Sequence, residues 1–195
     1  MEEIKEKVKK ESFTIEILDL VRTILICFIV VFLCTQFLFK PVRVDGKSMY
    51  PTLEDKEYGF SNVLSVLMND FHRFDVVVVN YAPTDTQWVK RIIGLPNETI
   101  EYRDNKLYIN GKYMKEAFFD KKYVASQTQN GEYPFTENFG PIVLKEDEYF
   151  LMGDNRQVSF DSRRVGPFLG KDIISKSVFV YYPFDKIGIV SDGTK

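Results

Sequence analysis

DVVVVNYAPTDTQWVKRIIGL, residues 75–95, decides the fold class. DVVVVN (75–80) is a β-branched run, APTDT carries turn chemistry, and QWVKRIIGL (87–95) returns to apolar and β-branched residues. The stretch therefore reads as strand, turn, strand. The same grammar continues in ETIEYRDNKLYINGKYM (98–114), which alternates apolar and polar residues around turn signals at Asp104-Asn105 and Asn110-Gly111. KSVFVYYPF (176–184) is a further strand candidate, and residues 61–70 have room for a short helical turn. Beyond the N-terminal apolar run there is no long helical pattern and no internal repeat. The expected class is mainly β, with antiparallel sheets.

Residues 105–145 shift to polar and aromatic composition, centred on QTQNGEYPFTENFGP. They read as an excursion or small inserted β subdomain, within which FFDKKY (118–123) patterns as a half-buried strand. The expected organisation is a tail (1–19), an anchor (20–39), a β core (40–104 and 146–195) and the insertion (105–145).

The chain has 195 residues, room for one modest domain plus an anchor. Its net charge of −2 argues against nucleic acid as the main partner. Both cysteines, Cys27 and Cys34, lie inside the apolar run, so the rest of the chain has no disulfide, no cysteine nucleophile and no zinc framework.

That run, TILICFIVVFLCTQFLF (23–39), is uncharged, and Leu20 and Val21 extend it when Arg22 snorkels. A cleaved leader would be followed by small residues in an A-x-A-like pattern, but the first alanine in the chain is Ala82. The run reads as a retained transmembrane anchor. Lys5, Lys7, Lys9, Lys10 and Arg22 precede it, against Lys40, Arg43 and Lys47 after it, which favours a cytoplasmic tail and an extracytoplasmic β region. Glu3/Lys7 and Glu6/Lys10 have helical spacing and suit a solvated helix leading into the span.

VDGKSMYPTL (44–53) presents Ser48 in a short loop soon after the anchor. A serine needs a base to become a nucleophile. The single histidine, His72, sits in a polar loop, and no Ser/His/Asp order can be built around it. A neutral lysine is the other base available. Most lysines here have polar company, but Lys90 lies in QWVKRII, where Trp88, Lys90 and Ile92 share one strand face and Val89, Arg91 and Ile93 the other. At least one of the two cations then faces apolar neighbours, unless Lys90 snorkels along an edge. A solvated amine is neutral only about 0.04 % of the time at pH 7. Burial that lowers its pKa by ~2–3 raises that fraction roughly 100- to 1000-fold. A third cluster, FLMGDNRQVSFDSRRVG (150–166), crowds Asp154, Arg156, Asp161, Arg163 and Arg164 with Ser159 and Ser162. It reads either as a surface loop of weak ion pairs or as a polar network bracing a site.

Together these clusters resemble type I signal peptidases, membrane-bound serine/lysine proteases that remove leader peptides. SMYPTL is similar to the family's S-M-x-P-T-L box, FDVVVVN to R-G-D-[IV]-V-V, WVKRIIGLP to [YF]-[VI]-K-R-[IV]-I-G-L-P, and GDNRQVSFDSR to G-D-N-R-x-x-S-x-D-S-R. The resemblance spans the anchor and nearly all the chain outside 105–145. It implies Ser48 as nucleophile, Lys90 as general base and Ser159 as the hydroxyl that hydrogen-bonds and orients Lys90. It further implies Asp154, Arg156, Asp161 and Arg163 as a structural ion-pair network, Met49 and Pro51 beside the substrate, and an all-β catalytic core.

The implied substrates are membrane-tethered preproteins with small residues at positions −1 and −3, met at the lipid bilayer near the secretion translocon. The implied location is the plasma membrane, crossed once. No metal or cofactor is needed. Ser48 follows Phe39 by about nine residues, so extended chain carries it at most ~30 Å from the membrane face. Four features depart from the family pattern: Phe74 stands where many members have glycine, Asn97-Glu98 follow Gly94-Leu95-Pro96 where Gly-Asp is common, Val158 replaces a frequent asparagine, and Gly46 stands where some carry a serine whose hydroxyl helps the oxyanion hole. Here that hole would rely on the Gly46 region and backbone N–H groups, Ser48's own first. Two rival readings are a specialised peptidase of a surface-protein or pilus cluster and a catalytically silent, membrane-tethered β domain. A silent relative would typically have lost Ser48 or Lys90.

Overall fold

The computed structural model describes residues 2–68, 71–129 and 131–190. It divides into two compact units, Met1–Phe39 and Lys40–Lys195. The first is the helix α1 (Glu2–Phe37), whose stretch Ile15–Thr35 has a mean hydropathy of 2.7 and is long and apolar enough to cross a membrane. It is apolar on all sides, unlike the single stripe of a surface helix. The Glu3/Lys7 and Glu6/Lys10 side chains lie outside the described residues.

The second unit is mainly β. Its strands are β1 (Phe39–Arg43), β2 (Tyr58–Asn62), β3 (Val76–Tyr81), β4 (Thr86–Gly94), β5 (Thr99–Arg103), β6 (Lys106–Ile109), β7 (Lys112–Met114), β8 (Phe139–Val143), β9 (Glu148–Met152), β10 (Phe168–Leu169), β11 (Ile173–Tyr182) and β12 (Gly188–Val190). One sheet runs β1-β2-β11-β3-β4-β9-β10, with β12 also paired to β11; the other runs β7-β6-β5-β8. The second sheet thus recruits residues 99–103, ahead of the excursion that composition marks. Short helices are α2 (Leu64–Leu67), α3 (Lys121–Gln127) and α4 (Ser162–Val165). The first lies within the expected 61–70 turn, of which residues 69–70 are outside the described set.

Local chemistry accounts for these elements. Val76 to Val79 are buried on both faces of β3, as an unbroken β-branched run in a central strand should be. β3 and β4 pair antiparallel, Val77 opposite Lys90 and Val76 opposite Arg91. The two turn signals close hairpins: Asp104 and Asn105 have φ of 49° and 61°, Asn110 and Gly111 of 51° and 75°, the left-handed pairs that two-residue hairpin turns require. FFDKKY is not a strand. Asp120 accepts from the N–H groups of Lys122 (2.7 Å) and Tyr123 (3.1 Å) and starts α3, so the capping signal outweighs the apolar pattern.

The β3–β4 pair separates two cores. Val76 packs with Val44, Met49, Leu53, Val178, Val180 and Val190, beneath the loop that carries Ser48. Val77, Val79 and Ile92 pack with Tyr149, Leu151, Phe168 and Ile173. A third core joins the second sheet to β9 through Ile100, Tyr102, Leu107, Phe150 and Met152.

Leu53 is fully buried, so Leu53→Ala should cost about 2–5 kcal/mol in chemical denaturation. Val143→Ala, at a position 71 % exposed, should stay within about 0.5 kcal/mol of the parent.

Candidate active site

The Ser48 loop is tied down at several points. The Val44 N–H donates to Glu57 O (2.9 Å), the Lys56 N–H to Val44 O (2.8 Å), and the Gly46 N–H to Asp55 Oδ1 (2.8 Å). A tight turn follows, with Tyr50 N–H donating to Lys47 O (3.2 Å), and Thr52 and Leu53 N–H to Met49 O (2.9 and 3.0 Å). Met49 and Leu53 point into the core and hold the turn against it. Met49 is a buried anchor of the loop, and Pro51 is half-buried.

Ser48 and Lys90, forty-two residues apart in sequence, meet: Lys90 Nζ donates to Ser48 Oγ at 2.9 Å. Lys90 is 4 % exposed, with its ammonium 5.6 Å from the Trp88 ring centroid. Burial drives its pKa down, opposed by the Asp161 and Asp154 carboxylates and aided by Arg163, to about 8. At that value roughly a tenth of the amine is neutral at pH 7, some 200-fold more than for a solvated lysine. His72 instead contacts Asp75 (3.8 Å) and Lys176 (3.4 Å).

Arg91, the next residue, is also buried, and its role is invisible in the sequence. Its guanidinium grips Asp154 through two bonds, Nε to Oδ1 at 2.8 Å and Nη2 to Oδ2, and donates to Phe74 O at 2.7 Å. Asp154 also accepts from the Thr52 hydroxyl, so one carboxylate links β4 to the Ser48 loop. The expected four-residue network is in fact three pairs. Arg163 chelates Asp161, Nε to Oδ1 and Nη2 to Oδ2 both at 2.8 Å. Burial pushes the Asp161 carboxyl up, but Arg163 and the Gly153 N–H (3.0 Å) outweigh it and hold the pKa below its ordinary value. Arg156 pairs with Glu116, outside the cluster, and also donates to Tyr102 Oη (2.8 Å), Thr136 Oγ1 (3.1 Å) and Gly153 O (3.1 Å).

Gly153 is a steric hinge of the site. A Cβ there would lie 2.2 Å from Ser159 Oγ and 2.4 Å from Ser48 O. The Asn155 N–H donates to that same Ser48 carbonyl (3.0 Å). Ser159 is buried and its hydroxyl faces the Asp161 carboxylate, which it helps hold below its ordinary pKa; the expected bond to Lys90 is not formed in this structure. The Gly46 N–H is committed to Asp55 and is not free to bind an oxyanion.

Residues 17–182 match the family model described as signal peptidase, peptidase S26. The chain belongs to this family. It is 42 % identical to signal peptidase I P of Bacillus subtilis subsp. natto over 94 % of this chain and 96 % of that protein. It is 42 % identical to a signal peptidase I of Bacillus amyloliquefaciens over 96 % and 98 %. A crystal structure of a signal peptidase I from Enterococcus faecalis V583 is 32 % identical, with a TM-score of 0.48, over 55 % of this chain and 96 % of that one. The chain is thus a type I signal peptidase, a serine peptidase and hydrolase.

Two of the departures from the family pattern, Phe74 and Gly46, have physical readings. Phe74 has φ of 71°, a left-handed conformation that glycine adopts freely and phenylalanine at a cost of ~1–2 kcal/mol. Its ring packs on Phe118 (5.1 Å), a contact glycine could not make. Gly46 has φ of 94°, so a serine there would meet open space but a strained backbone.

Gly153→Ala should reduce preprotein cleavage by at least about 100-fold, since displacing the serine by even an ångström is that costly. Near-parental cleavage by this variant would remove Gly153 from the site's construction.

Proposed function

We propose that this S26 peptidase removes N-terminal signal peptides from preproteins with a Ser48/Lys90 dyad. The carrying observation is the 2.9 Å approach of a buried Lys90 amine to Ser48 Oγ. Neutral Lys90 takes the Ser48 proton as Ser48 Oγ attacks the scissile carbonyl. The oxyanion collects backbone N–H bonds, beginning with that of Ser48, which has no acceptor among the described residues. Protonated Lys90 then gives its proton to the leaving amine, and the acyl-enzyme remains. Lys90, neutral again, takes a proton from water, and the resulting attack releases the signal peptide and restores the serine.

Ser159 has a role in the second half. Once Ser48 Oγ is acylated, Lys90 loses its acceptor, and the Ser159 hydroxyl, buried against Gly153 on the side that also faces Ser48 O, is the group suited to replace it and orient the amine. Asp154, Arg156, Asp161 and Arg163 support the loops and do not react.

The apolar stretch Ile15–Thr35 supports a single-pass plasma-membrane anchor, and the lysines before it a cytoplasmic N-terminus with the peptidase unit outside. Substrates would be tethered preproteins with small residues at −1 and −3, taken at the lipid bilayer near the translocon. The intact dyad disfavours a silent binding domain.

Ser48→Ala, Lys90→Ala and Lys90→Arg should all be inactive in preprotein cleavage, the last because arginine stays protonated. For the parent, kcat/KM should rise about tenfold per pH unit up to a midpoint near 8 and then level, since the active form is the neutral amine above its pKa. Full processing by any of the three variants, or a profile flat from pH 5 to 9, would exclude the dyad.

A further inference from the structure

The mechanism leaves the insertion unused, yet KEAFFDKKY (115–123) docks repeatedly onto the catalytic loops. Glu116 pairs with Arg156 and accepts from Tyr102 Oη at 2.7 Å. Phe118 covers the Arg91 guanidinium, its ring centroid 4.1 Å from Cζ, and Phe119 covers that of Arg156 at 4.8 Å. The two buried arginines of the site thus each lie against an aromatic ring from this one strip. Asp120 then caps α3 and fixes the direction in which Tyr123 leaves the helix.

Tyr123 reaches the nucleophile loop itself. Its ring meets Tyr50 edge-on, with centroids 5.7 Å apart, and its hydroxyl donates to Tyr50 O at 3.0 Å. The carbonyls of the turn are otherwise satisfied by main chain: Lys47 O by Tyr50 N–H, Ser48 O by Asn155 N–H, and Met49 O by Thr52 and Leu53 N–H. Tyr50 O alone among these four takes a side-chain donor, two residues from Ser48. Further along α3, Gln127 O accepts from Gln157 Nε2 (2.7 Å), on the loop that carries Ser159. One short helix therefore holds both loops between which the dyad works.

We infer that Tyr123 is a positioning residue for Ser48, and that the insertion completes the active site by fixing the nucleophile turn through the Tyr50 carbonyl. The inference rests on Ser48 being the nucleophile. Burial, with Asp154 and Tyr50 nearby, raises the Tyr123 hydroxyl's pKa to about 12, so it remains a donor across the working pH range. Its ring is held independently of that bond by Phe119 (6.4 Å) and Phe135 (5.9 Å), so removing the hydroxyl alone tests the contact.

The test compares kcat, KM, pH profile and thermal midpoint of full-length Tyr123→Phe with the parent and Ser48→Ala, using one preprotein, with the exposed Tyr113→Phe as control. Loss of one hydrogen bond at a positioning contact should lower kcat about fivefold to tenfold. KM should stay within about twofold and the pH midpoint should not move, because the bond neither touches substrate nor faces the amine. The thermal midpoint should be unchanged, and Tyr113→Phe should match the parent. Parental kcat in Tyr123→Phe with Ser48→Ala inactive would overturn the positioning role and leave the dyad intact. A change in KM alone would make Tyr123 a substrate contact, and a kcat loss that tracks a lowered thermal midpoint would make it structural; either overturns the inference. An active Ser48→Ala would remove the nucleophile and this inference with it.

Discussion

A lysine amine held out of water at hydrogen-bond distance from a serine hydroxyl is the constraint the rest of the structure serves. Water would keep Lys90 charged and, in the proposed dyad, useless as a base. Burial lowers its pKa, but the bare cost of desolvation would also favour any arrangement in which the amine escapes. The central β3–β4 pairing prevents that escape, since Lys90 sits opposite Val77 in the middle of a sheet whose faces are packed.

The carboxylates near Lys90 present the opposite hazard. Asp154 and Asp161 both favour the ammonium, and left alone they would pull its pKa back up. Each is instead held by two bonds to an arginine, Asp154 by Arg91 and Asp161 by Arg163. The arginines keep their charge at any accessible pH, so they neutralise the carboxylates without competing for the proton. The same pairs have a mechanical use: Asp154 ties Thr52 to β4, and Asp161 accepts from Gly153. Gly153 has no Cβ because Ser48 O and Ser159 Oγ fill that space. Electrostatic and steric requirements of the proposed dyad thus meet in one short loop.

Much of this was legible in the sequence wherever the signal is local. The strand, turn, strand reading of residues 75–95, both left-handed hairpin turns and the apolar company of Lys90 follow from period, turn chemistry and side-chain type. The ion-pair partners do not. Arg91 and Asp154 are 63 residues apart, and Arg156 and Glu116 are 40 apart; nothing in local spacing chooses one carboxylate among many. The burial of Met49 was equally illegible: a tight turn sends neighbouring side chains in different directions, and this one enters the core. FFDKKY misled because its apolar residues fit a strand, whereas Asp120 spends its side chain on two backbone N–H groups of a helix. That helix is what brings Tyr123 to the nucleophile turn.

The central claim is a physical one about a single amine, and it can be measured without substrate. Selective isotopic labelling of the lysine side chains, with assignment by Lys90→Arg, would allow the Lys90 amine to be titrated directly by NMR. The expected midpoint is near pH 8, well below the ordinary value of a lysine amine. A Lys90 amine that titrates at the ordinary lysine value, above pH 10, would contradict the buried-base reading.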